Sequence, residues 1–412
     1  MRRYTPITLA LFAVSACTEN PLDPTNIAAP PVMTASAGAN LSALSGAEIV
    51  DLGAFSPMDI NNHNDVLGSS SGAIVLWHDG TLTPFSPSGF PYALNDAGQI
   101  VGTMDGFDHP RAGLWQNGVG HPLPDILPST IYSRSQGINN AGVAVGHTFA
   151  VFGQIRPVVW AADGTPALLG MLPGWSGAQP VTINNNGWIA GYVYGASSPL
   201  VALWRGSEIL ELPMSWVNDM NDAGTLVGNG VAGGAAKWSN GQLTLLPGVG
   251  GAASAASGIN GQGEIVGFVM DASYASSAAY WSPDDQLTVL DALPGFPRCI
   301  ALAINNNGWV VGRCYSDTFE SRGVLWKLHP PTPEQLLDQL QAEVAAISGT
   351  NTRSLMALLD NAEKHYARNR GAVAPLLQAF ITQVENMLRR GDLTAAQAES
   401  LIKKARQILA QL

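Results

Sequence analysis

Ala303-Ile304-Asn305-Asn306-Asn307-Gly308-Trp309-Val310-Val311-Gly312, with Leu325-Trp326 a short way behind it, is the last of seven copies of one pattern. Each copy has an Asn, a Gly seven residues later and then a Trp. The earlier copies carry Asn61, Gly68 and Trp77; Asn95, Gly102 and Trp115; Asn139, Gly146 and Trp160; Asn184, Gly191 and Trp204; Asn221, Gly228 and Trp238; and Asn260, Gly267 and Trp281.

The period of these copies indicates the kind of repeat. The closing glycines are 34 to 45 residues apart, which is typical of a β-propeller blade. Each copy has four short apolar runs, in the fourth copy at 180–183, 188–192, 201–204 and 208–212. Asn, Asp and Gly separate the runs, and these residues accept the positive φ angles of tight hairpins. Four strands per copy are therefore predicted.

The two ends of the array predict a closed ring. The seventh copy runs into Pro330-Pro331 without a fourth strand, while an extra strand at 48–53 precedes the first copy. Pairing that strand with the seventh copy removes the open sheet edges. The fold class is therefore mainly β: a seven-bladed β-propeller of four-stranded blades at 47–329, closed by the N-terminal strand.

The repeated residues predict how the blades pack. Trp at the end of each third strand supplies a large apolar body between sheets. The repeated Gly suggests a close approach between neighbouring blades. Three departures, Asp96 and Asp222 in place of Asn and Asn64 in place of Gly, are expected to weaken individual blades.

The pattern Ala/Gly-Ile-Asn-Asn-x-Gly-x-Val-x-Gly…Leu-Trp resembles the HAF repeat of bacterial extracellular proteins. The resemblance covers about residues 46–328 and recurs seven times. It implies an exported repeat protein and supplies no catalytic residues.

From Thr332 the apolar spacing becomes helical, which predicts a small all-α bundle at 330–412. Thr332-Pro333-Glu334-Gln335 and Thr394-Ala395-Ala396-Gln397 are capping boxes, with Pro at the first helical position in the former. Four amphipathic helices with short joints follow. The region resembles the FIMAH domain through Leu355, Leu359, Asp360 and Ala362, then 391–394, Ala398, Leu401, Ile402 and Ala405. That resemblance implies an accessory or interaction role.

The N-terminus predicts export. Arg2-Arg3 precede an apolar run of about nine residues, too short to span a bilayer, and Val14-Ser15-Ala16-Cys17 resembles the bacterial lipobox. We expect a signal peptide at 1–17, lipidation of Cys17 and an outer-membrane or cell-surface lipoprotein. The alternative is a secreted protein cut near Ala16. Residues 18–46 are rich in Pro, Ala and Ser, as in a flexible tether.

Cys299 and Cys314 lie at equal distances from the centre of the Asn305–Gly308 turn. In a regular hairpin they would face each other, with Cβ atoms about 4.5–5.5 Å apart. An exported chain meets an oxidising compartment, so we predict a disulfide. Two free thiols in a buried strand pair are the alternative.

The charge balance and the sequence motifs limit the classes of function that are expected. Residues 18–330 hold 23 Asp and Glu against 9 Lys and Arg, so a nucleic-acid partner, which needs a basic surface, is not expected. The histidines lack metal-ligand spacing, and neither a Gly-x-Ser-x-Gly elbow nor a phosphate-binding loop occurs. Asp105 with Asp108, and Asp317 with Glu320, could hold a weak cation or simply be solvated. No cofactor is expected. The protein is expected to be a monomer.

The variable connections predict a binding face. In a propeller the connections between strands two and three, and those between blades, emerge on one face. The aromatic and basic residues expected there are the candidate ligand-binding residues Tyr92, Tyr132, Trp175, Trp216, Phe296, Arg111, Arg156 and Arg322. The alternative is that the rings fill gaps between blades.

The favoured function is therefore a surface-anchored, non-catalytic binding protein that recognises a glycan, peptide or envelope component. The alternatives are an extracellular polysaccharide hydrolase or lyase with a site near the channel, and a purely structural envelope protein. Fold alone does not choose among them.

Overall fold

In the computed structural model the chain is described at residues 47–86, 89–104, 109–195, 200–231, 233–250, 253–329, 332–347, 352–366 and 368–412. The predicted signal peptide, Cys17 and the tether lie outside these residues, as do Asp105 and Asp108.

The repeats form seven four-stranded antiparallel sheets, which are the blades of a propeller. Within a blade the strands run from the inside outward in chain order. After β1 (Glu48–Gly53), the first three blades comprise β2 (Ser56–Ile60), β3 (Val66–Ser70), β4 (Ala73–His78) and β5 (Thr81–Ser86); β6 (Phe90–Leu94), β7 (Ile100–Met104), β8 (Arg111–Gln116) and β9 (Val119–Pro122); and β10 (Thr130–Ile138), β11 (Ala144–Ala150), β12 (Gln154–Trp160) and β13 (Pro166–Leu168).

Blades four to six follow the same order. They comprise β14 (Trp175–Ile183), β15 (Ile189–Gly195), β16 (Leu200–Arg205) and β17 (Glu208–Leu212); β18 (Met214–Met220), β19 (Leu226–Gly230), β20 (Ala235–Ser239) and β21 (Gln242–Leu245); and β22 (Ser254–Ile259), β23 (Ile265–Met270), β24 (Ser276–Trp281) and β25 (Leu287–Val289). The seventh blade has β26 (Arg298–Ile304), β27 (Trp309–Tyr315) and β28 (Ser321–Lys327).

The seventh blade is completed by β1, as predicted. β1 pairs antiparallel with β28, with Glu48 opposite Lys327 and Asp51 opposite Val324. Both the entry of the chain into the propeller and its exit therefore lie at one end of this blade. That end belongs to the turn face, which we define as the face that carries the turns between first and second and between third and fourth strands. The opposite face carries the other connections and is called the loop face.

A β-bulge in every first strand explains the repeated glycine. In blade three the register shifts between Ser135 and Gly137, so that Gln136 is the extra residue. The bulge brings the carbonyl oxygen of Arg134 to 1.9 Å from where a Cβ on Gly146 would stand. The other six repeated glycines meet first-strand carbonyl oxygens at 2.0 to 2.3 Å. The close approach thus occurs within each blade. The prediction that this glycine allows a close approach between neighbouring blades was wrong.

The repeated Asn joins the blades into a ring. All seven are buried, and each side-chain amide donates to the backbone carbonyl of the equivalent Asn in the next blade, as from Asn95 to Asn139 at 2.9 Å. The side-chain oxygen accepts backbone N–H groups of its own turn, for example those of Ala141 and Val143 on Asn139. The same residue therefore shapes the turn and holds the neighbouring blade.

The next residue forms a second, more exposed ring. The backbone N–H of Asn140 donates to the side chain of Asn185 at 2.8 Å, and equivalent bonds occur at five other junctions. Gly261 has no side chain to accept the corresponding bond from Asp222. Asp96 accepts at the same time from the backbone of Asn62 and the amide of Asn140.

The three departures from the repeat, Asp96, Asp222 and Asn64, each accept hydrogen bonds across a junction between blades. Asn64, with φ of 67°, accepts bonds from the side chains of Asn305 and Asn307 at 2.8 and 3.0 Å. These two bonds lie at the junction where the last blade meets the first.

The repeated Trp residues are all buried between sheets. Four indole N–H groups, in Trp160, Trp204, Trp281 and Trp326, also donate to backbone carbonyls of the connection that enters their blade, at 2.7 to 2.9 Å. The indole N–H is the only hydrogen-bond donor of a Trp side chain. Because it is satisfied in these four residues, the large ring can be buried between sheets without leaving a donor unpaired.

Cys299 lies opposite Cys314 in the β26–β27 pair, and the two form a disulfide. Both residues are buried in the last blade. The predicted disulfide is confirmed.

Four helices form the C-terminal part: α1 (Pro333–Ala346), α2 (Arg353–Tyr366), α3 (Val373–Arg390) and α4 (Ala395–Leu409). Thr332 and Thr394 both cap their helices through the predicted boxes. The apolar faces share one core that includes Leu340, Leu359 and Phe380, and a helical part of this kind was expected.

Candidate functional site

The central channel is bordered by the seven first strands. Their bulge residues differ chemically from blade to blade, unlike the repeated residues around them. They are Met58, Tyr92, Gln136, Val181, Asn218, Ser257 and Leu302. Bulges commonly redirect side chains beside functional sites, and all seven of these residues line one cavity.

That cavity occupies the turn-face end of the channel and has a volume of about 410 Å³. The bulge residues and the two Asn rings line it, together with four carboxylates, Asp59, Asp96, Asp219 and Asp222. No Lys, Arg or His is among its lining residues. The turn-face end of the channel is therefore strongly acidic.

Asp59 and Asp219 occupy equivalent positions on blades one and five. Each carboxylate connects two blades: Asp59 accepts the backbone N–H groups of Ile60 and Leu94, both at 2.8 Å, and Asp219 accepts those of Met220 and Ile259.

Burial raises the pKa of Asp59 to about 7, although the two backbone bonds oppose this rise and the charges of Asp219 and Asp96 add to it. Burial also raises the pKa of Asp219, against its own backbone bonds and a bond from Thr182. The cavity thus contains two carboxyl groups that resist ionisation.

At the loop-face end of the channel one residue per blade forms the mouth ring. These are the first-strand residues paired with the position after each repeated glycine: Ser56, Phe90, Arg134, Gln179, Trp216, Ala255 and Ile300. Phe90 is 59% exposed and Trp216 is 51% exposed. One face of Trp216 packs near the ring of Tyr192, with centroids 4.5 Å apart.

A partly buried polar chain lies beside the mouth ring between blades three and four. Tyr194 donates to Gln179 at 2.5 Å, and the other end of that amide lies 3.3 Å from Nε2 of His147. Nδ1 of His147 lies 3.1 Å from Oε1 of Gln136. Burial, reinforced by the charge of Arg134, lowers the pKa of His147 to about 4. His147 is therefore neutral near pH 7, and with Nδ1 protonated all these contacts are satisfied.

The structure disperses the predicted binding residues. Tyr92 lines the acidic cavity, while Tyr132, Trp175 and Trp216 lie in first strands and not in the interblade connections where they were expected. Tyr132 stacks on Phe149, with centroids 5.0 Å apart. The indole N–H of Trp175 donates to Glu211 at 2.7 Å.

Phe296 lies in the connection into blade seven, where the guanidinium of Arg322 is 5.3 Å from its ring and also pairs with Asp51. Arg111 lies 3.9 Å from Asp125. Arg156 contacts Met171 and Gln154. These residues share the loop face without converging on one point.

Two exposed aromatic residues escaped the sequence reasoning. Tyr274 and Phe319 are 73% and 76% exposed at the tips of the loops between second and third strands in blades six and seven. Both have positive φ, 63° and 62°, in loops closed by the same pair of backbone bonds. A bulky side chain is rare in that conformation. The sequence does indicate these residues. In 271–275 and 316–320 an aromatic residue occupies the turn position with positive φ, where hairpins usually have Gly.

Metal ligands are not grouped in the described parts of the chain: no three His, Cys, Asp or Glu residues there could share an ion. Asp317, a candidate cation ligand, pairs with Arg298 at 2.9 Å. His109 pairs with Asp125 at 3.1 Å. None of the described helices has the length and apolar character needed to cross a membrane.

No protein-family model and no curated protein matches this chain, so the resemblances to the HAF repeat and the FIMAH domain stay predictions. Among solved structures it is similar to streptogramin B lyase, with 13% identity over 69% of this chain and 99% of that one, at a TM-score of 0.44. It is also similar to puromycin hydrolase, with 14% identity over 64% and 50% of the two chains and a TM-score of 0.46. The BP39L lectin from Burkholderia pseudomallei has 10% identity over 70% and 98%, and a TM-score of 0.39. At these identities the similarity concerns the fold alone.

Proposed function

We propose that this protein is an exported, surface-anchored binding protein whose loop face recognises a glycan or another envelope component. The observation that carries the proposal is the distribution of exposed apolar side chains. Apart from three on the outermost strands, every large apolar side chain that is exposed in the described propeller lies on the loop face: Phe90, Ile131, Val151, Trp216, Val231, Tyr274 and Phe319.

Backbone strain at the loop tips supports the same face. A non-Gly residue in the left-handed region costs about 1–3 kcal/mol and is retained where surrounding structure or function requires it. Tyr274 and Phe319 adopt that conformation, yet both side chains are mostly exposed and contribute little to the core, with the guanidinium of Arg298 5.7 Å from the ring centre of Phe319. Binding explains why such positions carry aromatic rings.

The connections to the rest of the chain begin on the opposite face of the propeller. The strand that begins at Glu48 and the strand that ends at Lys327 meet on the turn face, where the two side chains pair at 3.2 Å. The tether and the helical module are therefore attached at the face opposite the loop face. The predicted lipidation of Cys17 and the extracellular setting implied by the HAF-like repeat are consistent with this orientation.

The test is binding of residues 46–412 to an array of glycans and envelope polymers, with and without Ca²⁺. We expect specific binding that Trp216→Ala and Phe319→Ala each weaken. Leu82→Ala, which truncates an exposed side chain on the outer strand β5, is the matched control and should bind as the unmodified protein does. Absence of binding, or equal loss in the control, would refute the proposal.

A polysaccharide hydrolase or lyase is the second candidate, and the channel carboxylates are the observation that favours it. Asp59, with a pKa of about 7, is poised as an acid or base near neutral pH, and Asp219 borders the same cavity. Release of new reducing or unsaturated ends from an arrayed polymer, lost in both Asp59→Asn and Asp219→Asn, would support this alternative.

A further inference from the structure

The mouth ring is chemically asymmetric. Four consecutive blades contribute Phe90, Arg134, Gln179 and Trp216, whereas the other three contribute Ser56, Ala255 and Ile300. One half of the mouth thus has two exposed aromatic rings at its ends, with a cation and an amide between them. We propose that this half binds a sugar unit that bears a carboxylate, with Arg134 as the anchor for the acid; the inference rests on the proposed function.

Arg134 combines exposure, a neighbouring aromatic ring and a guanidinium that no described acidic side chain neutralises. It is exposed, its guanidinium lies 5.5 Å from the ring centre of Tyr132, and no acidic side chain pairs with it in the described structure. Arg298 pairs with Asp317 and Arg322 with Asp51, whereas Arg156, which also has no acidic partner among the described residues, contacts Met171 and Gln154. A guanidinium held over a ring keeps its N–H edges available, and those edges match a carboxylate in a bidentate geometry.

The charges along the channel favour a monoanion at this end. Arg134 is the single charged residue of the mouth ring, and His147 beside it is neutral near pH 7 because burial and Arg134 lower its pKa. The four carboxylates of the turn-face cavity lie deeper in the channel. A carboxylate that approaches from the loop face therefore meets the positive charge of Arg134 before it reaches any of these acids.

The aromatic residues favour a ring-shaped ligand. One face of Trp216 is occupied by Tyr192, yet half of its surface remains open. Phe90 is still more exposed. A sugar ring presents C–H groups on one face, which can pack on such a π-surface, and its hydroxyl groups can bond to the amide of Gln179. A peptide with a free carboxylate is the competing occupant.

The experiment measures binding of oligomers of galacturonate, glucuronate and mannuronate by calorimetry, each beside its carboxyl-reduced counterpart with the same ring. We expect at least one uronate oligomer to bind roughly 10- to 100-fold tighter than its reduced form, the range of one charge-assisted bidentate contact. Arg134→Gln should abolish that difference, and Arg134→Lys should retain part of it because the charge remains without the fork.

Arg205→Gln is the matched control. Arg205 is also a guanidinium over an aromatic ring, 5.0 Å from the centre of Trp188, but it lies at the turn-face end of β16 and pairs with Glu208. This variant should retain the preference for the acidic oligomer. Thermal unfolding of each variant checks that the fold is unchanged.

The outcomes separate this inference from the proposed function. Binding that depends on Trp216 but is equal for charged and reduced oligomers would overturn the carboxylate inference while leaving the binding function in place. Preference for free over amidated C-terminal peptides, without any response to uronates, would replace the sugar by a peptide. If the unmodified protein binds neither these probes nor any polymer of the array, both proposals are overturned.

Discussion

The side-chain amide of Asn305 donates a 2.9 Å hydrogen bond to the backbone carbonyl of Asn61, 244 residues away in sequence. This bond is the last link of a ring that passes through all seven blades, and it joins the seventh blade to the first, two blades that the chain also connects where β1 continues into β2. The same buried contact thus occurs at the closing junction, beside the pairing of β1 with β28, and at each internal junction.

We expect Asn305→Ala to lower the free energy of unfolding by roughly 2–4 kcal/mol, because buried groups left without partners cost about 1–3 kcal/mol each. The change removes the bond to Asn61 and leaves the backbone N–H groups of Asn307 and Trp309 without their acceptor. Guanidinium-induced unfolding measures it. Asn306→Ala, on the exposed second ring, should cost about 1 kcal/mol or less; equal losses would contradict the buried ring's role.

Gly146→Ala should be more damaging than most glycine substitutions. A Cβ there would stand 1.9 Å from the carbonyl oxygen of Arg134, so the bulge of β10 would have to shift, at a cost of roughly 3 kcal/mol or more. Gly248→Ala is the control, since nothing lies within 4 Å of the added carbon. Thermal unfolding of both variants gives the comparison, and similar melting temperatures would show that the bulge does not require glycine.

The repeated residues made the blade count and the closure predictable, because each does a task that few residues can do. The bulges were not predictable, because their seven extra residues have no common chemistry; bulge geometry arises from backbone pairing. This is also why the cavity and the mouth ring were missed. Trp216 was recognised as a candidate contact, but its alignment with Phe90 across blades follows from registers that the sequence does not display.

The disulfide was predicted correctly although the hairpin is not regular. Counting from a turn centred between residues 306 and 307 places Cys299 opposite Cys314. The pairs nearest the turn, including Ile304 with Val310, instead centre on Asn307, which would place Tyr315 opposite Cys299. The bulge at Leu302 shifts the register by one residue and restores the pair of cysteines. Two departures from a regular hairpin compensate each other.

Gly261→Asn should stabilise the protein. Gly261 is the gap in the second ring, and an amide there could accept the backbone N–H of Asp222, as Asp222 itself does for Asn185. We expect a gain of about 0.5–1.5 kcal/mol from the bond. The Cβ of the new residue at 261 would lie 3.0 Å from Oδ1 of Asn306. The other six blades already carry a side chain at the position equivalent to 261. Gly261→Ala adds the Cβ without the amide, so the difference in denaturation midpoint isolates the bond. An Asn variant no more stable than the Ala variant would count against the ring.

Asp59 should make the protein less stable as pH rises toward neutrality. Burial raises its pKa to about 7 from an ordinary value of 3.8, so the folded state retains a proton that the unfolded state releases at lower pH. Folding therefore takes up a proton between about pH 4 and pH 7, and the free energy of unfolding falls across that interval, by up to about 4 kcal/mol. Above the folded-state pKa this contribution is constant.

Asp59→Ala isolates this effect, because Ala is the natural residue at the equivalent positions 93 and 303. Other groups also titrate: a bond to Glu264 raises the pKa of His329, and bonds from His329, Asn260 and Tyr280 outweigh burial and lower that of Glu264. These contributions are common to both proteins and cancel in the difference between their unfolding curves. We expect the variant to lose less stability between pH 4 and pH 7, so that it gains on the unmodified protein as pH rises. Parallel curves would mean that Asp59 ionises normally and that the acidic cavity is well hydrated.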